Sequence, residues 1–75
     1  MKLLVFGALT RELQSGERPL ETPLDVRTFL DELYEQYPAL KAYTFRVAVN
    51  HSLAGDDTMI RPEDEVALLP PFAGG

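Results

Sequence analysis

The sequence predicts a small α+β domain in which one amphipathic helix covers one face of a mixed β-sheet. Apolar residues recur at helical spacing in a single segment, at Val26, Phe29, Leu30, Leu33, Tyr34 and Tyr37, while Arg27, Asp31, Glu32 and Glu35 fill the opposite side. Strand-like apolar runs lie before this helix, at residues 2–6, and after it, at 45–50 and 65–69, each ended by glycine, asparagine or proline. A chain of 75 residues supports one core and leaves no room for a second, so residues 1–75 read as a single domain, with 70–75 as a protruding tail.

Taken in order, residues 2–6 form an apolar run closed by Gly7 and read as a central strand buried on both faces. Residues 8–14 carry good helix formers between Gly7 and Gly16, enough for one or two turns. Pro19 and Pro23 demote residues 18–24 to an edge strand, paired with the first in a loose hairpin. Asp25 is placed to cap the helix and Pro38 to follow its end. Residues 45–50 form a strand that turns at Asn50 into a short return over 52–54. Gly55-Asp56-Asp57 and Pro62-Glu63-Asp64 are turns, and Glu65–Leu69 is the last strand before two prolines end regular pairing. The order is β, β, α, β, β, β. A helical crossover makes a parallel pair, most simply the first and last strands at the sheet centre, which gives a β-grasp (ubiquitin-like) sheet of four to five strands.

Several functions are disfavoured by what the chain lacks. With no cysteine it has no disulfide framework, thiol nucleophile or cysteine-based zinc site, and it fits the cytoplasm. Residues 1–6 are too short for a signal-peptide core, and no apolar run approaches the roughly 20 residues that span a bilayer. A net charge of −5 disfavours nucleic acid and anionic membrane surfaces as partners. The single histidine, His51, reads as an exposed loop residue. Asp56, Asp57, Glu63, Asp64 and Glu65 lack the spacing of a calcium loop and read as solvated turns. No hydroxyl has an evident base partner, and a domain this small buries only roughly 60–65% of its unfolded surface, so the chain itself is expected to be non-catalytic and to hold no metal or cofactor.

The tail Pro70-Pro71-Phe72-Ala73-Gly74-Gly75 carries the chemistry instead. Two glycines at the last two positions arise by chance in roughly one chain in two hundred. The prolines impose an extended, stiff exit from the last strand, and the glycines leave no side chain beside the terminal carboxylate. Five extended residues reach about 17 Å, enough to enter a partner's cleft while the domain stays outside. Attack of that carboxylate on the α-phosphate of ATP gives an acyl-adenylate, which a sulfur or nitrogen nucleophile can displace.

Phe6-Gly7-Ala8-Leu9-Thr10-Arg11-Glu12-Leu13, Val47-Ala48-Val49-Asn50, Asp64-Glu65-Val66-Ala67 and the Pro70-Pro71-Phe72-Ala73-Gly74-Gly75 tail resemble the MoaD family, the small subunits of molybdopterin synthase. The resemblance covers the whole chain. It implies a sulfur carrier in molybdenum cofactor biosynthesis, whose Gly75 is adenylated by a MoeB-like enzyme using ATP and converted to a thiocarboxylate. A cysteine desulfurase or rhodanese would supply the sulfur. The charged tail would enter a MoaE-like large subunit, in a heterotetramer of two small and two large subunits, and give sulfur to cyclic pyranopterin monophosphate. Gly74 would accompany Gly75 at the reacting end.

The same resemblance assigns partner contacts to Arg11, Leu53 and Leu69, and to Pro70, Pro71, Phe72 and Ala73 in the tail. The residues agree for Leu53 and Leu69, which are expected on the sheet side opposite the helix as an exposed apolar patch. Two positions depart from the family pattern. Glu63 replaces a glycine, which implies a turn needing no positive φ, and Gly7 replaces an aromatic residue of some members, which implies a weakened or relocated partner contact. Three alternatives stay open: a ThiS-like carrier for the thiamine thiazole, a ubiquitin-like protein modifier joined through Gly75, and an interaction domain with an inert tail.

Overall fold

The computed structural model describes residues 1–71, so the expectations for Phe72, Ala73, Gly74 and Gly75 lie outside the described residues. Strand β1 (Lys2–Val5) is followed by a 3-10 helix (Gly7–Arg11), β2 (Gly16–Glu17) and β3 (Leu24–Asp25). Helix α1 (Val26–Gln36), a second 3-10 helix (Pro38–Ala42), β4 (Arg46–Val49), β5 (Ser52–Leu53), β6 (Met59–Ile60) and β7 (Glu65–Leu69) complete the chain.

The main sheet has five strands in the order β2-β1-β7-β4-β5, and β3 pairs with β6 in a separate two-stranded sheet. Strands β1 and β7 run parallel, with Leu3 opposite Val66 and Val5 opposite Leu68, while β4 runs antiparallel to β7 on its other side. This is the ubiquitin-like β-grasp topology, with the first and last strands adjacent at the sheet centre. Strand alternation sends Leu3, Val5, Val47, Val49, Val66 and Leu68 to one face, where Val26, Phe29 and Leu33 of α1 cover them. Leu9, Leu13, Leu40 and Ile60 close the sides of this core.

Helix α1 begins where Asp25, in extended conformation (φ −80°, ψ 163°), accepts a hydrogen bond from the Thr28 N–H at 2.8 Å. The Thr28 side chain first, and then this N–H, hold the Asp25 carboxyl below its usual range by hydrogen bonding. The helix ends as the Tyr37 N–H donates to the Leu33 carbonyl, and Pro38, which has no N–H, opens the 3-10 helix. Leu30, Tyr34 and Tyr37 pack partly buried around the core, as the helical spacing predicts.

Two expectations are corrected. Strand β1 is covered on one face only, because α1 is the only long helix among the described residues: Lys2 is exposed, Leu4 half-buried and Phe6 44% exposed. The edge strand is not residues 18–24 but β2, which pairs with β1 through Lys2–Glu17 and Leu3–Gly16. Arg18 adds one reciprocal pair with Met1, its N–H donating to the Met1 carbonyl at 2.9 Å, and Pro19 then offers no donor for the ladder to continue. Toward the other end, the Val5 N–H finds the Ser15 hydroxyl at 2.8 Å in place of a backbone carbonyl. The pairing of Leu24–Asp25 with Met59–Ile60 is a further element that the sequence reading does not contain.

Candidate functional site

The sheet face turned away from α1 carries the candidate site. Register fixes its layout: Leu4 lies beside Ala67, Ala67 beside Ala48 and Ala48 beside Leu53, an apolar row across four strands. A second row holds Phe6, Leu69 and Arg46, with Arg46 opposite Leu69. Leu53 is 59% and Phe6 44% exposed, large values for such side chains, while Leu4, Ala67 and Leu69 are half-buried. Ala48 is only 5% exposed, since Leu53 and Ala67 flank its short side chain. Leu4, Phe6, Ala48, Ala67 and Leu69, with His51 and Glu65 at one margin, line a shallow depression of about 270 Å³.

The two ends of this face differ. At one end Glu65 lies between Lys2, 4.0 Å away, and His51, 3.4 Å away, with the His51 side chain largely exposed. His51 belongs to the β4–β5 turn, in which Asn50 (φ 50°) and His51 (φ 72°) are both left-handed, the geometry of a tight two-residue hairpin connection. At the other end lie the 3-10 helix carrying exposed Arg11 and the root of the tail, because parallel strands deliver the end of β1 and the end of β7 to the same edge of the sheet. Pro70 there is half-buried and Pro71 exposed. Neither has an N–H to extend the β7 ladder.

The structure therefore brings Leu53 and Leu69 to one face, with Pro70, Pro71 and Arg11 at the tail end of the sheet. Leu4, Phe6, Ala48 and Ala67 also belong to this face and were not assigned to it from the sequence. The available signal was the period-2 alternation in β1 and β7, masked by reading residues 2–6 as buried on both sides. Glu63 is not among the residues with positive φ, and the Asp64 N–H donates to the Arg61 carbonyl at 3.0 Å, a turn that does not require glycine.

Among the described residues no group of three or more His, Asp or Glu is placed to hold a metal ion, and no polar or charged side chain is buried. No helix among them is long and apolar enough to cross a membrane. What the face offers is an apolar docking surface beside the point where the chain leaves the sheet toward residues 72–75.

Comparison with known proteins agrees with this geometry. The profile of the ThiS family matches residues 3–75. The molybdopterin synthase sulfur carrier subunit of Mycobacterium tuberculosis (strain ATCC 25618 / H37Rv) is 35% identical over 80 residues, covering 100% of this chain and 96% of that protein. The crystal structure of SAMP1 from Haloferax volcanii superposes with a TM-score of 0.75 at 23% identity, over 99% of this chain and 97% of that one, a likeness of fold.

Proposed function

We propose, from the premise that this chain belongs to the ThiS family, that it is a sulfur carrier which works through the carboxylate of Gly75 in the making of molybdopterin. One observation carries the reading: the family match runs to residue 75 and so includes the Gly74-Gly75 end, in a chain that leaves Leu53 and Phe6 exposed on the sheet face away from α1. The family description allows a thiamine-type pathway. The whole-length identity to a molybdopterin synthase sulfur carrier subunit favours the molybdopterin pathway.

In the proposed cycle the domain stays outside its partners and supplies binding energy, and the tail does the chemistry. The open face, presenting Leu53, Phe6 and Leu69, docks on a MoeB-like adenylating enzyme. The Gly75 carboxylate attacks the α-phosphate of ATP and pyrophosphate leaves; a persulfide on a cysteine desulfurase or rhodanese then displaces AMP to give an acyl disulfide, and a thiol reductant cleaves its S–S bond to leave the thiocarboxylate. The same face next docks on a MoaE-like large subunit, two of each forming the synthase; the thiocarboxylate sulfur bonds to cyclic pyranopterin monophosphate and water hydrolyses the acyl–sulfur bond, which leaves the sulfur on the pterin and returns the carboxylate. The chain positions the reacting atom, the partners supply the catalytic groups, and the cycle runs in the cytoplasm.

The test is to add one alanine after Gly75. The extended chain is expected to fold and dock as before yet to lose sulfur transfer, because the carboxylate then lies one residue beyond the reacting position. Transfer at the unextended rate would refute the mechanism.

A further inference from the structure

Gly7, the residue after Phe6, has φ +68°, in the left-handed region that side chains rarely adopt. Three contacts define its surroundings. The Phe6 N–H donates to the Leu68 carbonyl at 3.2 Å, extending the β1–β7 pairing. The Thr10 hydroxyl donates to the Gly7 carbonyl at 2.8 Å and holds the turn from the other side. A Cβ built on Gly7 would lie 3.3 Å from Cγ and 3.4 Å from Cβ of Pro70, closer than a side chain there is normally accommodated. With no side chain at residue 7 the turn after β1 packs directly against Pro70, the first residue past β7; a Cβ there would require the Pro70 ring to move by a few tenths of an ångström.

We infer that Gly7 is a positioning residue for the tail: it seats the Pro70 ring and thereby sets the direction in which the chain departs toward Gly75. The inference rests on the carrier reading above and adds to it how the tail is aimed. Proline fixes its own φ, and Pro71 restricts Pro70 to extended conformations, so the chain at 70–71 has little freedom to correct a misplaced ring. An extended stretch of five residues spans about 17 Å, so a tilt of about 10° at its root would displace its end by about 3 Å. An error of about 1 Å at reacting atoms can slow a reaction a hundredfold. Docking through Leu53 and Leu69 does not depend on this contact, so binding and turnover should separate.

Gly7→Asn is the informative variant, because asparagine tolerates the left-handed conformation while bringing a Cβ against Pro70. With a MoeB-like enzyme, ATP–pyrophosphate exchange dependent on the carrier is expected to show kcat reduced about tenfold and KM within about threefold of the parent. Pro70→Ala removes Cγ and Cδ but changes the tail root itself, so it serves as the reference background: Gly7→Asn is expected to cost much less kcat in Pro70→Ala than in the parent. An unchanged kcat, a loss confined to KM, or a loss undiminished in the Pro70→Ala background would each overturn the inference. Nuclear Overhauser contacts between the Gly7 α-protons and the Pro70 ring protons test the seat in the free chain, without any partner; they are expected in the parent, and their absence also overturns it. Failure of the parent chain to support exchange would instead refute the carrier reading, and this inference with it.

Discussion

Asn50 and Asp64, 14 residues apart, are joined by a 2.9 Å hydrogen bond from the Asn50 amide to the Asp64 carboxylate. The Asn50 side-chain oxygen accepts from the Glu65 N–H at 3.0 Å, and the second Asp64 oxygen accepts from the Arg61 N–H at 2.8 Å. These bonds staple the β4–β5 turn to the turn that opens β7, at the end of the sheet away from the tail. Asn50→Ala loses the staple and places alanine at a positive φ. It should lower stability by about 1–2 kcal/mol, measured by urea unfolding, without altering partner affinity.

The neighbouring His51, at φ 72° in the same turn, offers the opposite change. Glycine is preferred at the second position of this turn type, and the largely exposed imidazole contributes little packing. His51→Gly is therefore expected to stabilise the domain by about 0.5–1 kcal/mol, seen as a higher Tm.

Acid should weaken the fold through two carboxylates. Asp25 is held below its ordinary value of 3.8 by hydrogen bonding from Thr28, and Asp64 below the same value chiefly by its bond from Asn50. A carboxyl whose pKa is lowered by folding contributes stability above its unfolded pKa and loses that contribution as pH falls through the folded one. Thermal melts should be insensitive to these groups near neutrality and fall as pH drops below 3.8. Asp64→Asn should reduce that acid dependence; an unchanged slope would contradict the assignment.

The open sheet face predicts a binding phenotype without a folding one. Leu53, at 59% exposure, and Phe6, at 44%, bury little in the free chain, so Leu53→Glu or Phe6→Ala should melt within a few degrees of the parent. By calorimetric titration against the adenylating or large-subunit partner, each should weaken binding tenfold or more. Arg27→Ala, on the exposed side of α1, should bind as the parent does.

Much of this architecture was legible because its signals are long. The helix repeats its apolar positions over three turns, Asp25 caps it as read, and the alternation in residues 45–50 marks β4. The parallel pairing followed from one helical crossover. The pairs that were missed are too short for periodicity: Gly16–Glu17, Leu24–Asp25 and Met59–Ile60 each contribute two residues, and their pairing is fixed by tertiary neighbours. The misreading of β1 had a different cause. A continuous run such as Lys2-Leu3-Leu4-Val5-Phe6 fits a strand buried on both faces, but with one long helix among the described residues to cover the sheet, Leu4 and Phe6 lie on the open face. Leu53 and Leu69 were read as lying on the face opposite the helix, where the structure has them, whereas Gly7 was noted only as a departure, since its positive φ and its contact with Pro70 are properties of the folded chain.

The most direct measurement is the intact mass of the chain after incubation with ATP, a MoeB-like enzyme and a sulfur donor, followed by a thiol-selective alkylating reagent. The absence of cysteine leaves no competing thiol, and oxidation of Met1 or Met59, which adds nearly the mass of an oxygen-to-sulfur exchange, gives a sulfoxide that is not alkylated. A sulfur carrier gains one alkyl group, located at Gly75 by fragmentation. With an enzyme shown to charge another carrier, no alkylation of this chain would contradict the proposed function.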